Sequence, residues 1–116
     1  MPYQDGTFGC PAEVGLKLIS GKWKPRIFYE LLQQTRRFGE LQRLIPDISR
    51  QVLTTQLREL EKSGLVQRKV FSTIPPKVEY SLTKFGKNME PILQQIVDVG
   101  EHYISLQKNV SSEKVQ

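Results

Sequence analysis

The residues best able to do chemistry lie in one stretch, ISRQVLTTQLRELEKSGLVQR, residues 48–68. Set at 100° per residue with Leu53 facing a core, it turns Gln51, Thr55, Arg58 and Lys62 most directly outward. Arg50 and Thr54 flank that face. These side chains match base edges: Arg grips guanine, Gln pairs with adenine, and a Thr methyl meets the thymine methyl. Ser49 is a good N-cap and, with the first amides of the helix, can hold a phosphate. Lys62 lies far along and reads as solvated. An ordinary solvent-facing helix carries similar residues, so the pattern needs support from its surroundings.

Charge supplies some of it. The 116-residue chain carries +5. From Arg36 to Lys87 stand six Arg and five Lys against five acidic residues, a net of +6 that leaves −1 elsewhere. A basic zone in a near-neutral chain suits an anionic partner, most commonly nucleic acid. Arg36, Arg37, Arg43, Lys69 and Lys77 bracket the stretch as phosphate contacts would.

Other chemistry finds little footing. His102 is the only histidine and Cys10 the only cysteine, and no glycine-rich phosphate loop exists. They make a poor catalytic set, and no metal spacing or cofactor motif is present. No apolar run nears the ~18 residues of a membrane span. The opening MPYQDGTFG lacks the parts of a secretion signal. A single cysteine fits a reducing cytoplasm. The expectation is a non-enzymatic, cytoplasmic DNA binder. The alternative is a protein-interaction module that keeps the same fold without specific DNA binding.

The elements that would position these residues follow from periodicity. A first helix opens at Cys10-Pro11 and runs to about Ile19, with Ala12, Leu16 and Ile19 on one stripe and Val14 and Leu18 on another. A second spans about Lys24 to Gln33, with Ile27, Phe28, Leu31 and Leu32 inward. Arg36-Arg37 forms a short connection. A third helix carries Phe38, Leu41, Leu44 and Ile45, and Pro46-Asp47 ends it. The fourth follows Ser49, with Leu53, Leu57 and Leu60 on the core. Gly64 suits a left-handed stop, with Leu65 placed to touch Leu60. The period then becomes two over 66–71 and 77–82, giving antiparallel strands.

Between the strands lies STIPP, 72–76, stiffened by two prolines. Thr73 and Lys77 are candidates to touch backbone or minor groove, while Ile74 and the prolines shape the loop. Arg68 reads either as such a contact or as a partner of Glu79. A last helix is expected from Thr83 to about Gln107, with Met89, Ile92, Leu93, Ile96, Val97, Tyr103 and Ile104 on a wide apolar face. The expected organisation is an N-terminal arm (1–9), a domain (10–107) and a disordered tail (108–116). The fold class is mainly α with a small β-hairpin wing, a winged helix-turn-helix.

Several segments also resemble a known family. CP at 10–11, ISGKW at 19–23, RRFGELQRLIPDIS at 36–49, VLTTQLRELEKSGLVQR at 52–68 and PPKVEYSLTKFGK at 75–87 resemble the HxlR family of MarR-like bacterial winged-helix regulators. The resemblance implies a transcriptional regulator, a repressor by preference. It implies a homodimer joined by the first and last helices, with two recognition helices in successive major grooves of a pseudo-palindrome. Some members sense oxidants or electrophiles through an N-terminal cysteine, and the match falls on Cys10. The positive end of a helix favours a thiolate there. A small apolar residue or plain N-cap is the simpler use of Cys10. The DNA-binding set is therefore Arg36, Arg37, Ser49, Arg50, Gln51, Thr54, Thr55, Arg58, Lys69, Thr73 and Lys77. No cofactor or metal is expected, and an oxidant or small-molecule effector is the further partner.

Overall fold

The expected helical stripes and the change of period after Gly64 all become elements. The computed structural model describes residues 9–115, with side chains over 9–109. Its elements are α1 (Pro11–Ile19), α2 (Lys24–Gln33), β1 (Arg36–Arg37), α3 (Phe38–Leu44), α4 (Arg50–Lys62), β2 (Val66–Phe71), β3 (Lys77–Leu82), α5 (Lys84–Asn88) and α6 (Glu90–Val115). The three strands form one antiparallel sheet in the order β1-β3-β2. The fold is mainly helical with a hairpin wing.

Ile27 and Phe28 of α2, Leu41 of α3, Leu53 and Leu60 of α4, and Leu65 beyond it are all wholly buried. Burying each such side chain is worth about 1.5–3 kcal/mol. Leu53, Leu57 and Leu60 lie at i, i+4 and i+7, so a single stripe holds α4 on this core. Ser49 caps α4 by accepting from the Val52 N–H at 3.1 Å.

The far end of α4 is a Schellman stop. Gly64 takes φ +82°, a region costly for residues with a Cβ. Its N–H donates to the Glu61 carbonyl at 3.0 Å, and the Leu65 N–H reaches the Leu60 carbonyl at 3.0 Å. The chain then enters β2 directly. Val66 pairs with Leu82 and Phe71 with Lys77, a register that closes the hairpin over 72–76.

Three expectations are corrected. Arg36-Arg37 is a strand, pairing with Tyr80 and Glu79. The last helix is two helices broken at Met89, because Pro91 has no N–H to continue the ladder. Its end is not near Gln107 but at Val115, so the polar stretch from Lys108 is helical to that point; it holds no proline or glycine to stop it. On α1, Ile19 is buried and Leu18 packs against the core, while Leu16 is 60% exposed. The N-terminal arm, apart from Gly9, lies outside the described residues.

Thr83 begins α5 and ties it to the end of α4. Its N–H donates to the Leu65 carbonyl at 3.0 Å, and its hydroxyl donates to the Gly64 carbonyl. Gly86 is buried against the Leu65 carbonyl: a Cβ there would press into the Leu65 backbone, which has no freedom to retreat. Gly86→Ala is expected to destabilise the fold by about 1–3 kcal/mol, the usual cost of overpacking. A fall in the urea midpoint at unchanged slope checks this; an unchanged midpoint would contradict the close approach.

Candidate nucleic-acid interface

The outward stripe of α4 is built by what its inward stripe buries. Gln51, Thr55 and Arg58 are exposed at i, i+4 and i+7, with Arg50 exposed beside them. The Arg50 guanidinium lies 5.0 Å from the centre of the Phe38 ring. That contact steers a long side chain without consuming its hydrogen-bond donors. Thr54 is half-buried, and its hydroxyl donates to the Arg50 carbonyl at 2.8 Å, so it offers little beyond its methyl. Ser49 uses its oxygen as the cap, leaving its O–H proton for another acceptor.

Two neighbouring arginines have opposite fates. Arg36 was expected to touch phosphate, but its guanidinium turns inward. Nε donates to the Glu30 carbonyl at 3.2 Å, and a terminal nitrogen lies 3.6 Å from the Glu30 carboxylate. Glu30 is 7% exposed and also takes Arg26 Nε at 3.2 Å. A buried carboxylate needs such partners, so the half-buried Arg36 is committed to Glu30 within the fold. The strand pairing of β1 forces the choice, since adjacent residues of a strand face opposite ways. Arg37 is exposed, and its backbone N–H donates to the Glu40 carboxylate at 2.9 Å.

The wing organises its charges around one ring. Lys69 Nζ stands 5.0 Å and Lys77 Nζ 4.9 Å from the Phe71 ring centre. Lys77 also bridges to Glu79 at 3.1 Å, so its charge is partly answered within the wing. Lys69 is exposed. The Thr73 hydroxyl donates to the Pro75 carbonyl at 2.7 Å, so Thr73 shapes the loop rather than presenting its hydroxyl outward. Arg68 pairs with Glu61 at 3.6 Å, not with Glu79. Burial pushes the Tyr80 phenol above its ordinary value, Glu61 adds to this, and Arg68 and Arg58 oppose it.

Sequence reasoning missed four contributors. Lys24 Nζ meets Glu59 at 2.7 Å, which binds α2 to α4 and answers an acidic charge on the reading helix. The acid itself, on a helix meant to face an anion, was the signal. Arg26 donates to the Leu44 carbonyl at 2.6 Å and satisfies the end of α3. Phe38 and Phe71 each orient cations, which periodicity cannot show.

An exposed polar helix set on a helix-turn-helix, with a basic hairpin beside it, defines the class: DNA-binding transcriptional regulators of the winged helix-turn-helix type. The match to the HxlR-like helix-turn-helix family covers residues 18–108, and the chain belongs to that family. It is 48% identical over 99 residues to the HTH-type transcriptional regulator YdeP of Bacillus subtilis strain 168, spanning 85% of this chain and 77% of YdeP. Among solved structures, the redox regulator HypR in its reduced form is 45% identical with a TM-score of 0.82, over 86% of this chain and 99% of that one. The reduced form of the transcriptional regulator YodB from B. subtilis is 33% identical with a TM-score of 0.71, over 78% and 90% respectively.

The two arginines give a clean comparison. Arg36→Ala should cost about 1–3 kcal/mol of stability, because Glu30 loses a partner in a dry site. Arg37→Ala should leave urea unfolding unchanged and lower the salt slope of DNA binding by about one. The reverse pattern would mean that the inward and outward assignments are wrong.

Proposed function

We propose that this protein is a cytoplasmic, non-enzymatic repressor that binds a pseudo-palindromic operator as a homodimer. The observation that carries the reading is the outward stripe of α4: Gln51, Thr55 and Arg58 are exposed on a helix whose inner stripe is fully buried. Gln51 and Arg58 are assigned to base edges, Thr55 to a thymine methyl, and Arg50 to either base or backbone. Ser49, Arg37 and Lys69 are assigned to phosphates, with Lys77 weakened in that role by Glu79. Thr54 and Thr73 contribute mainly through position.

Support for the dimer comes from α6. Ile92, Ile96, Val99, Tyr103 and Leu106 are all exposed, at 45–68%. Their spacing alternates four and three, the seam of paired helices. Leu16 on α1 is exposed as well. With one helical turn between half-sites, the two reading helices would lie roughly 34 Å apart.

The test is selection of bound duplexes from a random pool, with light scattering for mass. A dimer enriching a two-fold motif is expected; a monomer, or no enriched motif, would sink the reading. On the enriched duplex, Gln51→Ala or Arg58→Ala should relax base preference and cost about 1–3 kcal/mol. Equal losses on enriched and random DNA would deny these residues a part in base reading.

We further propose that an oxidant or electrophile acts through Cys10. The thiol is exposed at the start of α1 and makes no capping hydrogen bond. It is the only cysteine, so a disulfide would join two subunits or a small thiol. The structural neighbour HypR, named a redox regulator, lends support. Diamide should change the DNA affinity of the parent and leave Cys10→Ser unaffected. Identical responses would rule Cys10 out.

A further inference from the structure

A row of charge crosses one face of the sheet. Arg36 on β1 and Arg68 on β2 are the two cross-strand neighbours of Tyr80, so the three side chains share a face. Each arginine is tied to a helix: Arg36 to Glu30 of α2, and Arg68 Nε to Glu61 of α4 at 3.6 Å. The row is dry at its α2 end, where the Arg36 side chain is 14% exposed, and wet at its α4 end, where that of Arg68 is 52% exposed. Buried Tyr80 lies within reach of the charges of Glu61, Arg68 and Arg58 alike. One carboxylate of the reading helix therefore has two arginines to choose from. Arg58 precedes Glu61 by three residues, a spacing at which side chains on a helix meet. Lys62, next in the chain, points about 100° away, and Arg36 is already committed to Glu30. The fold gives Glu61 to Arg68, and Arg58 stays exposed, in none of the ion pairs among the described residues.

We propose that Arg68 is a positioning residue for base reading: by holding Glu61 against the start of the wing, it keeps that carboxylate off Arg58 and leaves the Arg58 guanidinium free for a base edge. The proposal rests on the DNA-binding reading above and adds to it a specificity determinant that acts through another side chain. Without Arg68, Glu61 turns to Arg58 and occupies the planar donor fork that matches the O6 and N7 acceptors of guanine. Arg58 must then break an ion pair before it can grip a base. The bridge between wing and reading helix is in this way also what keeps an acid on the reading helix from disabling its neighbour.

The experiment compares the full-length parent with Arg68→Ala, Arg68→Lys, Glu61→Gln and the double variant Arg68→Ala/Glu61→Gln. Each is measured on the duplex that the parent enriches from a random pool and on single-base variants of it. Arg68→Ala should bind the enriched duplex roughly two- to fivefold more weakly, the scale of one exposed ion pair to be broken. Its loss of preference should fall at the base pair where Arg58→Ala also relaxes it. Glu61→Gln should keep the preference, and the double variant should recover it, because the carboxylate that captures Arg58 is gone. Arg68→Lys, still able to pair with Glu61, should keep it too. Recovery cannot come from improved folding, since the double variant has lost both partners of the bridge. In the free proteins the Arg58 Nε–H resonance should shift in Arg68→Ala and return in the double variant. If the double variant stays as weak and unselective as Arg68→Ala, Arg68 is a phosphate contact or a plain structural tie, and the proposal is overturned. It is overturned equally if Arg68→Ala keeps the parent's preference at that base pair. If the parent shows no salt-dependent affinity for any duplex, the DNA-binding reading itself has failed, and the positioning role falls with it even where the Arg58 resonance shifts as expected.

Discussion

Everything in this molecule depends on how α4 is made to stop. Gly64 turns the chain into the left-handed region, and Leu65 drops into the core under Leu60. The same two residues then receive α5: their carbonyls accept the hydroxyl and the N–H of Thr83. Buried Gly86 closes over that junction. Within a few residues the reading helix ends, the wing begins and the approach to α6 is anchored. None of the three can turn without disturbing the others, because the bonds that hold them share one backbone segment.

Beyond that junction, ion pairing decides which cations remain for a partner. Arg26 and Arg36 are held by Glu30, Lys24 by Glu59, Arg68 by Glu61 and Lys77 by Glu79. The number of basic residues in the zone from Arg36 to Lys87 therefore overstates the cations left for a duplex. The exposed cations Arg37, Arg50, Arg58 and Lys69 lie around the outer stripe of α4 and along the wing. Most of the pairs are partly exposed and contribute little stability singly. Their larger effect is to fix where the paired side chains point, leaving Arg37, Arg50, Arg58 and Lys69 outside these ion pairs.

Much of this was legible before any coordinates. The helix periods, the Ser49 cap, the Gly64 stop and both long strands follow from local rules, because each depends on residues a few positions apart. The stripe of Gln51, Thr55 and Arg58 followed from the same geometry. What stayed hidden depends on distant partners. Two residues cannot show a period of two, so β1 emerges only through its pairing with β3. That pairing sends Arg36 inward and Arg37 outward, a distinction no property of the dipeptide RR contains. The Thr54 and Thr73 hydroxyls look free in sequence, yet each finds a carbonyl within a few residues. The sequence presents the terminal helix as one apolar face, but the structure buries Met89 and Leu93 and leaves Ile92, Ile96, Tyr103 and Ile104 exposed.

That outer part has a mechanical consequence. α6 runs 26 residues without interruption from the α5 junction, so it forms a rod about 39 Å long at 1.5 Å per residue. A grip anywhere along the rod acts on α4 with the leverage of that length. A tilt of about ten degrees at the junction sweeps the far end through roughly 7 Å, two steps of a DNA ladder spaced about 3.4 Å apart. A small change of angle at the α5 junction is thus magnified at the other end of the helix.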